Sequence, residues 1–99
     1  IPIILAGDLN DFPWSETMDA FTKNDLINAA IYENDNERFS YIFEGNAQQL
    51  DYIMITKNLA HGVKLARFVH INTVMDREDQ ISDHDPFYVS LEITPSSIQ

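Results

Sequence analysis

The 99-residue chain has no cysteine, which excludes a disulfide framework and a thiolate zinc site and leaves the redox compartment open. No apolar run approaches the roughly 18 residues that a membrane-spanning helix needs, so we expect no membrane partner. Basic residues are scarce: 6 Lys and Arg stand against 16 Asp and Glu, for a formal net charge of -10. This deficit argues against nucleic-acid binding through a basic surface.

The composition that is present is typical of a folded chain. Hydrophobic residues make up 44% of the sequence and aromatic residues 11%, which favours a globular domain over a disordered segment. The length allows at most one domain with a thin core. Because the chain opens on an apolar run without an initiator Met, we expect a fragment of a larger protein or a processed form.

The first third of the chain predicts one strand and one helix. The apolar run over residues 3–6 predicts a strand buried on both faces, with Asp8 and Asn10 at its carboxyl end. Ser15 as N-cap and Glu16 in the first turn predict a helix over residues 15–23. Trp14, directly before it, is interpreted as a packing residue at the helix entry.

The remainder of the chain predicts strands. RFSYIFEGNAQQLDYIMI predicts a hairpin with Gly45 and Asn46 in its turn and Asp51 inside its second strand. TKNLAHG predicts a short helical turn, and VKLARFVHI predicts another strand. A last strand before the polar tail TPSSIQ is predicted by four alternating apolar residues: Phe87, Val89, Leu91 and Ile93.

Three carboxylates interrupt or end these apolar strands: Asp8, Asp51 and Asp83. A buried carboxylate without a partner costs several kcal/mol, so each one must meet a cation, a hydrogen-bond donor or water. Each also has a purely structural explanation as a turn cap or a backbone acceptor. A divalent metal held by such carboxylates would allow an acidic chain to bind a phosphate, because the metal reverses the local sign of charge.

One of the three histidines, His84, stands between two carboxylates in the sequence, Asp83 and Asp85. A carboxylate bonded to one ring nitrogen fixes the tautomer and raises the pKa of the imidazole. Asp85 is interpreted as the cap of the turn before a proline. His61 and His70 lack such neighbours, and we expect them to be exposed or packed on a strand edge.

Three motifs in this order, GDLN, LDYI and SDHDP, resemble the C-terminal half of the endonuclease/exonuclease/phosphatase superfamily, which includes DNase I and abasic-site endonucleases of the exonuclease III type. The stretch NERFSYIFEGNAQQLDYIMI is most similar to the bacterial secreted nucleases of that superfamily. The resemblance implies an α/β fold, namely half of a DNase I-like four-layered sandwich. We expect a mixed, mostly antiparallel sheet with one or two helices.

The resemblance also implies a role for five residues. Asp8 would orient or deprotonate the attacking water and contribute to metal binding, and Asn10 would hold that water or a phosphate oxygen. Asp83 would ligate the metal. His84 would contact the scissile phosphate, and Asp51 would accept a hydrogen bond from its other ring nitrogen. Hard oxygen ligands suit Mg²⁺, Mn²⁺ or Ca²⁺.

The implied partners are a nucleic acid, most simply DNA, as substrate and the first half of the same domain, which this chain lacks. Without that half we expect an inactive chain, with a sheet face exposed that a second copy could cover. Arg38 and Asn46 lie where the superfamily has a DNA-contacting hairpin. A secreted bacterial nuclease is compatible with the sequence, which leaves the compartment open. The alternatives are an inositol-phosphate or phospholipid phosphodiesterase and a non-catalytic interaction module.

Overall fold

The computed structural model describes residues 1–94, which form strands and helices in an α/β arrangement. The predicted polar tail lies outside these residues except for Thr94. In chain order the elements are β1 (Ile4–Asp8), α1 (Glu16–Lys23), β2 (Leu26–Asn28), β3 (Tyr41–Phe43), β4 (Asn46–Gln48), β5 (Asp51–Thr56), α2 (Lys57–Ala60), β6 (Val63–Phe68) and β7 (Phe87–Leu91). Short 3-10 helices occupy Ala29–Tyr32, Asp35–Glu37 and Arg77–Asp79.

The strands of residues 1–94 pair in three antiparallel sheets. The first has the order β1-β5-β2, so that β5 is its central strand. The other two are the pairs β3-β4 and β6-β7. The predicted α/β class with antiparallel strands and two helices is therefore confirmed, and within this range no strands pair in parallel.

The helix α1 covers one face of the first sheet. Ser15 caps it by accepting a hydrogen bond from the Met18 backbone N–H, as the sequence predicts. Met18 packs with Tyr52 and Met54 of β5 in the core, and four partly buried side chains surround them: Leu5, Leu9, Phe21 and Leu26. This packing covers the face of the β1–β5 pair that carries these side chains.

The prediction that β1 is buried on both faces is wrong. Leu5 faces the core, but Ile4 is 53% exposed and Ala6 is exposed as well. The reason is that β1 lies at the edge of its sheet and α1 covers a single face. A continuous apolar run does not distinguish this arrangement from a strand covered on both sides.

The predicted hairpin is shorter than expected. Its strands are β3 and β4, and the turn between them consists of Glu44 and Gly45, both with positive φ (49° and 82°). Two such residues in succession are typical of a type I′ turn. Asn46 and Asp51 are therefore misplaced by the sequence analysis, because Asn46 belongs to β4 and Asp51 begins the separate strand β5.

The C-terminal strands follow the predicted pattern with shorter bounds. The helical turn is α2, and β6 and β7 pair with the Phe68 and Phe87 rings stacked, their centroids 4.0 Å apart. The strand β7 ends at Leu91, so Ile93 lies beyond it. Within residues 1–94 the helices are too short to cross a lipid bilayer.

Candidate active site

The antiparallel register of β1 and β5 places two carboxylates opposite each other. Asp8, the last residue of β1, pairs with Asp51, the first residue of β5. Like charges at directly opposed positions of a sheet destabilise it unless a cation lies between or beside them. The end of this strand pair is therefore a place that favours positive charge.

His84 supplies such a group from the segment before β7. Its Nδ1 lies 2.6 Å from Oδ2 of Asp51, and both side chains are 23% exposed. Carboxylate oxygens of Asp8 and Asp51 and a ring nitrogen of His84 all lie within 4.8 Å of one another. The structure thus brings together three of the predicted site residues, although Asp51 and His84 are 33 positions apart in the chain.

The charge state of His84 follows from these neighbours. Burial lowers the pKa of the imidazole, but the hydrogen bond to Asp51 and the negative charges of Asp51, Asp8 and Asp83 raise the pKa by more. The net result is a pKa above the ordinary value of 6.5. These neighbours therefore favour the protonated imidazolium form of His84 relative to the same ring in water.

Asp83 lies beside this cluster on the other side of the imidazole. Its Oδ1 is 3.9 Å from Nε2 of His84, and its side chain is 58% exposed. It is not part of the group whose atoms lie within 4.8 Å of one another. The Asp83 carboxylate is consequently accessible to solvent and to a cation. One oxygen of Asp51, by contrast, is bonded to the His84 ring and orients it.

Asn10 shapes the Asp8 end of the site. Its φ is 50°, a left-handed conformation that Asn tolerates better than most residues. In this turn the Asn10 backbone N–H donates to Oδ1 of Asp8 at 2.9 Å, which fixes one oxygen of that carboxylate. Asn10 is itself exposed.

The donor set fits a hard divalent cation. Three carboxylates, those of Asp8, Asp51 and Asp83, surround one imidazole, so the site is rich in oxygen ligands and negative in total. A second acidic trio, Asp76, Glu78 and Asp79, is fully exposed around a 3-10 turn, as expected for a solvated loop.

A second histidine, which the sequence did not predict as a site residue, also lies between carboxylates. His70 hydrogen-bonds through Nδ1 to Oδ2 of Asp85 at 2.7 Å and through Nε2 to the Glu37 carbonyl oxygen at 3.2 Å, and its Nε2 also lies 2.9 Å from Oε2 of Glu37. Its ring also stacks on Phe39, with centroids 3.9 Å apart. No local sequence pattern predicts these contacts, because Glu37 and Asp85 lie 33 and 15 positions from His70. His61, by contrast, is exposed as expected.

Asp85 is more than a turn cap. Its side chain is fully buried and accepts hydrogen bonds from His70, from the Thr73 hydroxyl and from the backbone N–H groups of Asn72 and Thr73. Burial raises the pKa of this carboxyl, but the bonds from Thr73, His70 and Asn72 outweigh burial and leave the pKa below its ordinary value of 3.8.

Trp14 and Arg38 were also singled out in the sequence, and the structure defines the contacts of both. Trp14 packs on a neighbour at the helix entry, with its ring stacked on Phe12 at 5.1 Å, but it does so at the surface, where it is 80% exposed. Arg38 donates to the carbonyls of Ile31 and Glu33 and pairs with Asp35. Its guanidinium is thus occupied in holding its own loop.

One comparison with known proteins identifies a family. The model of the endonuclease/exonuclease/phosphatase family matches residues 1–84, a range that ends at His84 and includes the other four predicted site residues. The chain belongs to this family. No curated protein and no solved structure matches it significantly. Membership indicates hydrolysis of phosphodiester bonds that depends on a divalent metal, the chemistry general to the family.

Proposed function

We propose that the chain forms part of the active site of a metal-dependent nuclease that cleaves DNA. One observation carries this proposal: Asp8, Asp51 and His84 come from three separate segments and converge within 4.8 Å. Hydrolysis of a phosphodiester needs an oriented water, a counter-charge for the phosphate and support for the departing oxygen. These three side chains and their two neighbours, Asn10 and Asp83, can supply each of those needs.

Each residue has a role that its surroundings support. Asp8, held by the Asn10 backbone N–H, orients the attacking water or takes its proton. The Asn10 amide holds the water or a phosphate oxygen. His84, oriented by Asp51 through Nδ1, donates from Nε2 on the other side of the ring to the phosphate.

Asp83 and Asp8 are the residues that would hold the metal, as Mg²⁺ or alternatively Mn²⁺ or Ca²⁺. When bound, the metal neutralises phosphate charge that an acidic chain would otherwise repel. The exposure of Asp83 leaves room for the cation and its water ligands.

The choice of nucleic acid as substrate is supported by the groove beside the site. A cavity of about 280 Å³ extends from Asp83 to the hairpin residues Tyr41 and Phe43 and to Arg77. The Tyr41 ring lies 5.1 Å from the His84 ring, so an aromatic surface borders the reacting phosphate. Aromatic side chains of this kind stack on nucleic-acid bases. An inositol phosphate or a phospholipid would use the same carboxylates without needing this surface.

We propose further that another segment of the same domain, in the family's first half, packs against the outer face of β1 and completes the site. Ile4 of β1 is 53% exposed and Ile3, directly before the strand, is 50% exposed, which leaves apolar surface for such a partner. A second copy of the chain is the alternative occupant. Sequencing the reading frame upstream of Ile1 distinguishes the two, because the first arrangement requires roughly 100 further residues.

The metal role of Asp83 is tested by titrating the ¹⁵N-labelled chain with Mn²⁺. Paramagnetic broadening is expected first at Asp8, Asp83 and His84. Removing one unit charge about 4 Å from a cation costs about 1 kcal/mol in water and more in a partly buried site. Asp83→Asn is therefore expected to raise the Kd for Mn²⁺ by about tenfold or more.

Asp79→Asn is the matched control for this titration, since Asp79 belongs to the exposed second acidic trio. It is expected to leave the Kd at the first site unchanged. Broadening that begins at residues 76–79 in the wild type, or an unchanged Kd in Asp83→Asn, would contradict the metal role and favour a non-catalytic interaction module.

A further inference from the structure

Ser40 joins the two segments that carry the central pair of the site. Its side chain is fully buried, and its Oγ accepts from the backbone N–H groups of Leu50 at 3.1 Å and Asp51 at 3.2 Å. Its carbonyl oxygen accepts from the Asp85 N–H at 2.8 Å. One residue therefore holds the main chain of Asp51 and the main chain directly after His84.

Asn72 braces the His84 segment from the other side. It is 6% exposed, and its Nδ2 donates to the His84 carbonyl oxygen at 2.8 Å. Its Oδ1 accepts from the Ile81 N–H at 3.3 Å, and its own N–H donates to Asp85 at 2.9 Å. The amide of Asn72 thus spans the segment that presents Asp83 and His84.

We propose that Ser40 and Asn72 are positioning residues that set the geometry of the Asp51–His84 pair. Asp51 begins a strand of the first sheet, whereas His84 precedes β7 of another sheet. Within the described residues β5 and β7 do not pair with each other. Sheet hydrogen bonds therefore do not fix the distance between the Asp51 and His84 side chains. The Ser40 bonds connect the two main chains directly.

The importance of this connection follows from the short contact that it supports. The 2.6 Å separation of His84 Nδ1 and Asp51 Oδ2 requires both main-chain segments to be held in place. A displacement of about 1 Å at a reacting group can lower a rate about 100-fold. Neither Ser40 nor Asn72 contributes an atom to the cluster of Asp8, Asp51 and His84. Their effect on the site is exerted through the backbone.

A purely structural role for Ser40 and Asn72 predicts a different experimental result. Both residues satisfy buried backbone groups, so replacing either one with alanine lowers stability whatever its relation to the site. The distinguishing readout is a spectroscopic signature of the Asp51–His84 hydrogen bond, recorded below the melting temperature of each variant. A structural role would leave that signature unchanged in the folded protein.

The experiment is ¹H–¹⁵N NMR of the imidazole groups at one fixed pH, without metal. The wild type is expected to show a downfield Nδ1 proton for His84, which Asp51→Asn removes and so assigns. In folded Ser40→Ala and Asn72→Ala this proton is expected to shift upfield or to vanish through exchange with water. Ser40→Thr, which keeps the accepting oxygen, is expected to retain it.

Thr56→Ala is the matched control. Its hydroxyl accepts from the Ile3 N–H at 3.0 Å at the far end of β5, so the variant loses a similar bond away from the site. It is expected to keep the His84 signal. An unchanged signal in folded Ser40→Ala and Asn72→Ala would overturn the proposal.

This inference rests on the proposed function for its catalytic meaning, but the NMR result does not depend on hydrolysis or on metal. In the protein expressed from its complete reading frame, Ser40→Ala is expected to lower kcat about tenfold or more with KM within about twofold. If the wild type cleaves no phosphodiester while its His84 signal still responds to Ser40→Ala, the proposed function fails and the positioning role stands. If the enzyme is active and the signal does not respond, the positioning role fails alone.

Discussion

Replacing His84 with alanine is expected to lower kcat for DNA cleavage by about 10²- to 10³-fold, the usual loss when one donor to a developing oxyanion is removed. The variant loses the imidazole of the cluster and with it the hydrogen bond to Asp51 and the donor to the phosphate. The measurement is initial-rate kinetics on a defined DNA duplex, using protein expressed from its complete reading frame with Mg²⁺ in excess.

The control for this variant is His61→Ala, because His61 is an exposed histidine at the end of α2 and outside the cluster. It is expected to cleave at the wild-type rate. A kcat for His84→Ala within about threefold of the wild type would show that the imidazole does not stabilise the transition state.

Replacing Asp85 with alanine is expected to destabilise the fold by about 3 to 5 kcal/mol, because several buried hydrogen-bonding groups lose their acceptor and each such loss costs about 1 to 3 kcal/mol. The substitution removes the acceptor of His70, of the Thr73 hydroxyl and of two backbone N–H groups. It does so in a fully buried site that the Asp85 side chain fills in the wild type. Urea denaturation at neutral pH measures the loss. Asp85→Asn, which keeps one accepting oxygen, is expected to lose less.

Asp35→Ala serves as the control, since Asp35 pairs with Arg38 but its side chain is 96% exposed. Its effect on the free energy of unfolding is expected to stay within about 1 kcal/mol. A loss for Asp85→Ala no larger than that of the control would contradict the account of Asp85 as a structural anchor.

The effect of Asp85 on stability also has a defined pH dependence. The folded pKa of this carboxyl lies below the ordinary value of 3.8, so its ionisation stabilises the fold above about pH 3.8. That contribution is lost as the pH falls through the folded pKa. The difference between wild type and Asp85→Ala is therefore expected to be largest near neutral pH and to shrink in acid.

Local signals in the sequence predicted the helix and much of the site. Ser15 and Glu16 mark the start of α1 because capping depends on residues adjacent in the chain. The strand-end position of Asp8 follows from the apolar run before it, and Asp51 and His84 stand out as polar residues beside apolar strands, although Asp51 begins its strand and was predicted inside it. What the residues alone could not give is the register that sets Asp8 opposite Asp51.

The failures share a cause, which is that they depend on contacts between distant segments. Which face of β1 is exposed depends on the side of the sheet that α1 covers. An apolar run in the sequence does not indicate that side. Asp85 and His70 meet across 15 positions, and Ser40 meets Asp51 across 11. Neither serine nor a lone histidine has a sequence signature for such a role.

The most direct test of the central claim is cleavage of supercoiled plasmid DNA by the protein expressed from its complete reading frame. The account predicts nicking in Mg²⁺, none when EDTA removes the metal, and none by Asp8→Ala in Mg²⁺, because that variant loses both a metal ligand and the group that orients the water. Cleavage by folded Asp8→Ala at the wild-type rate would contradict the account.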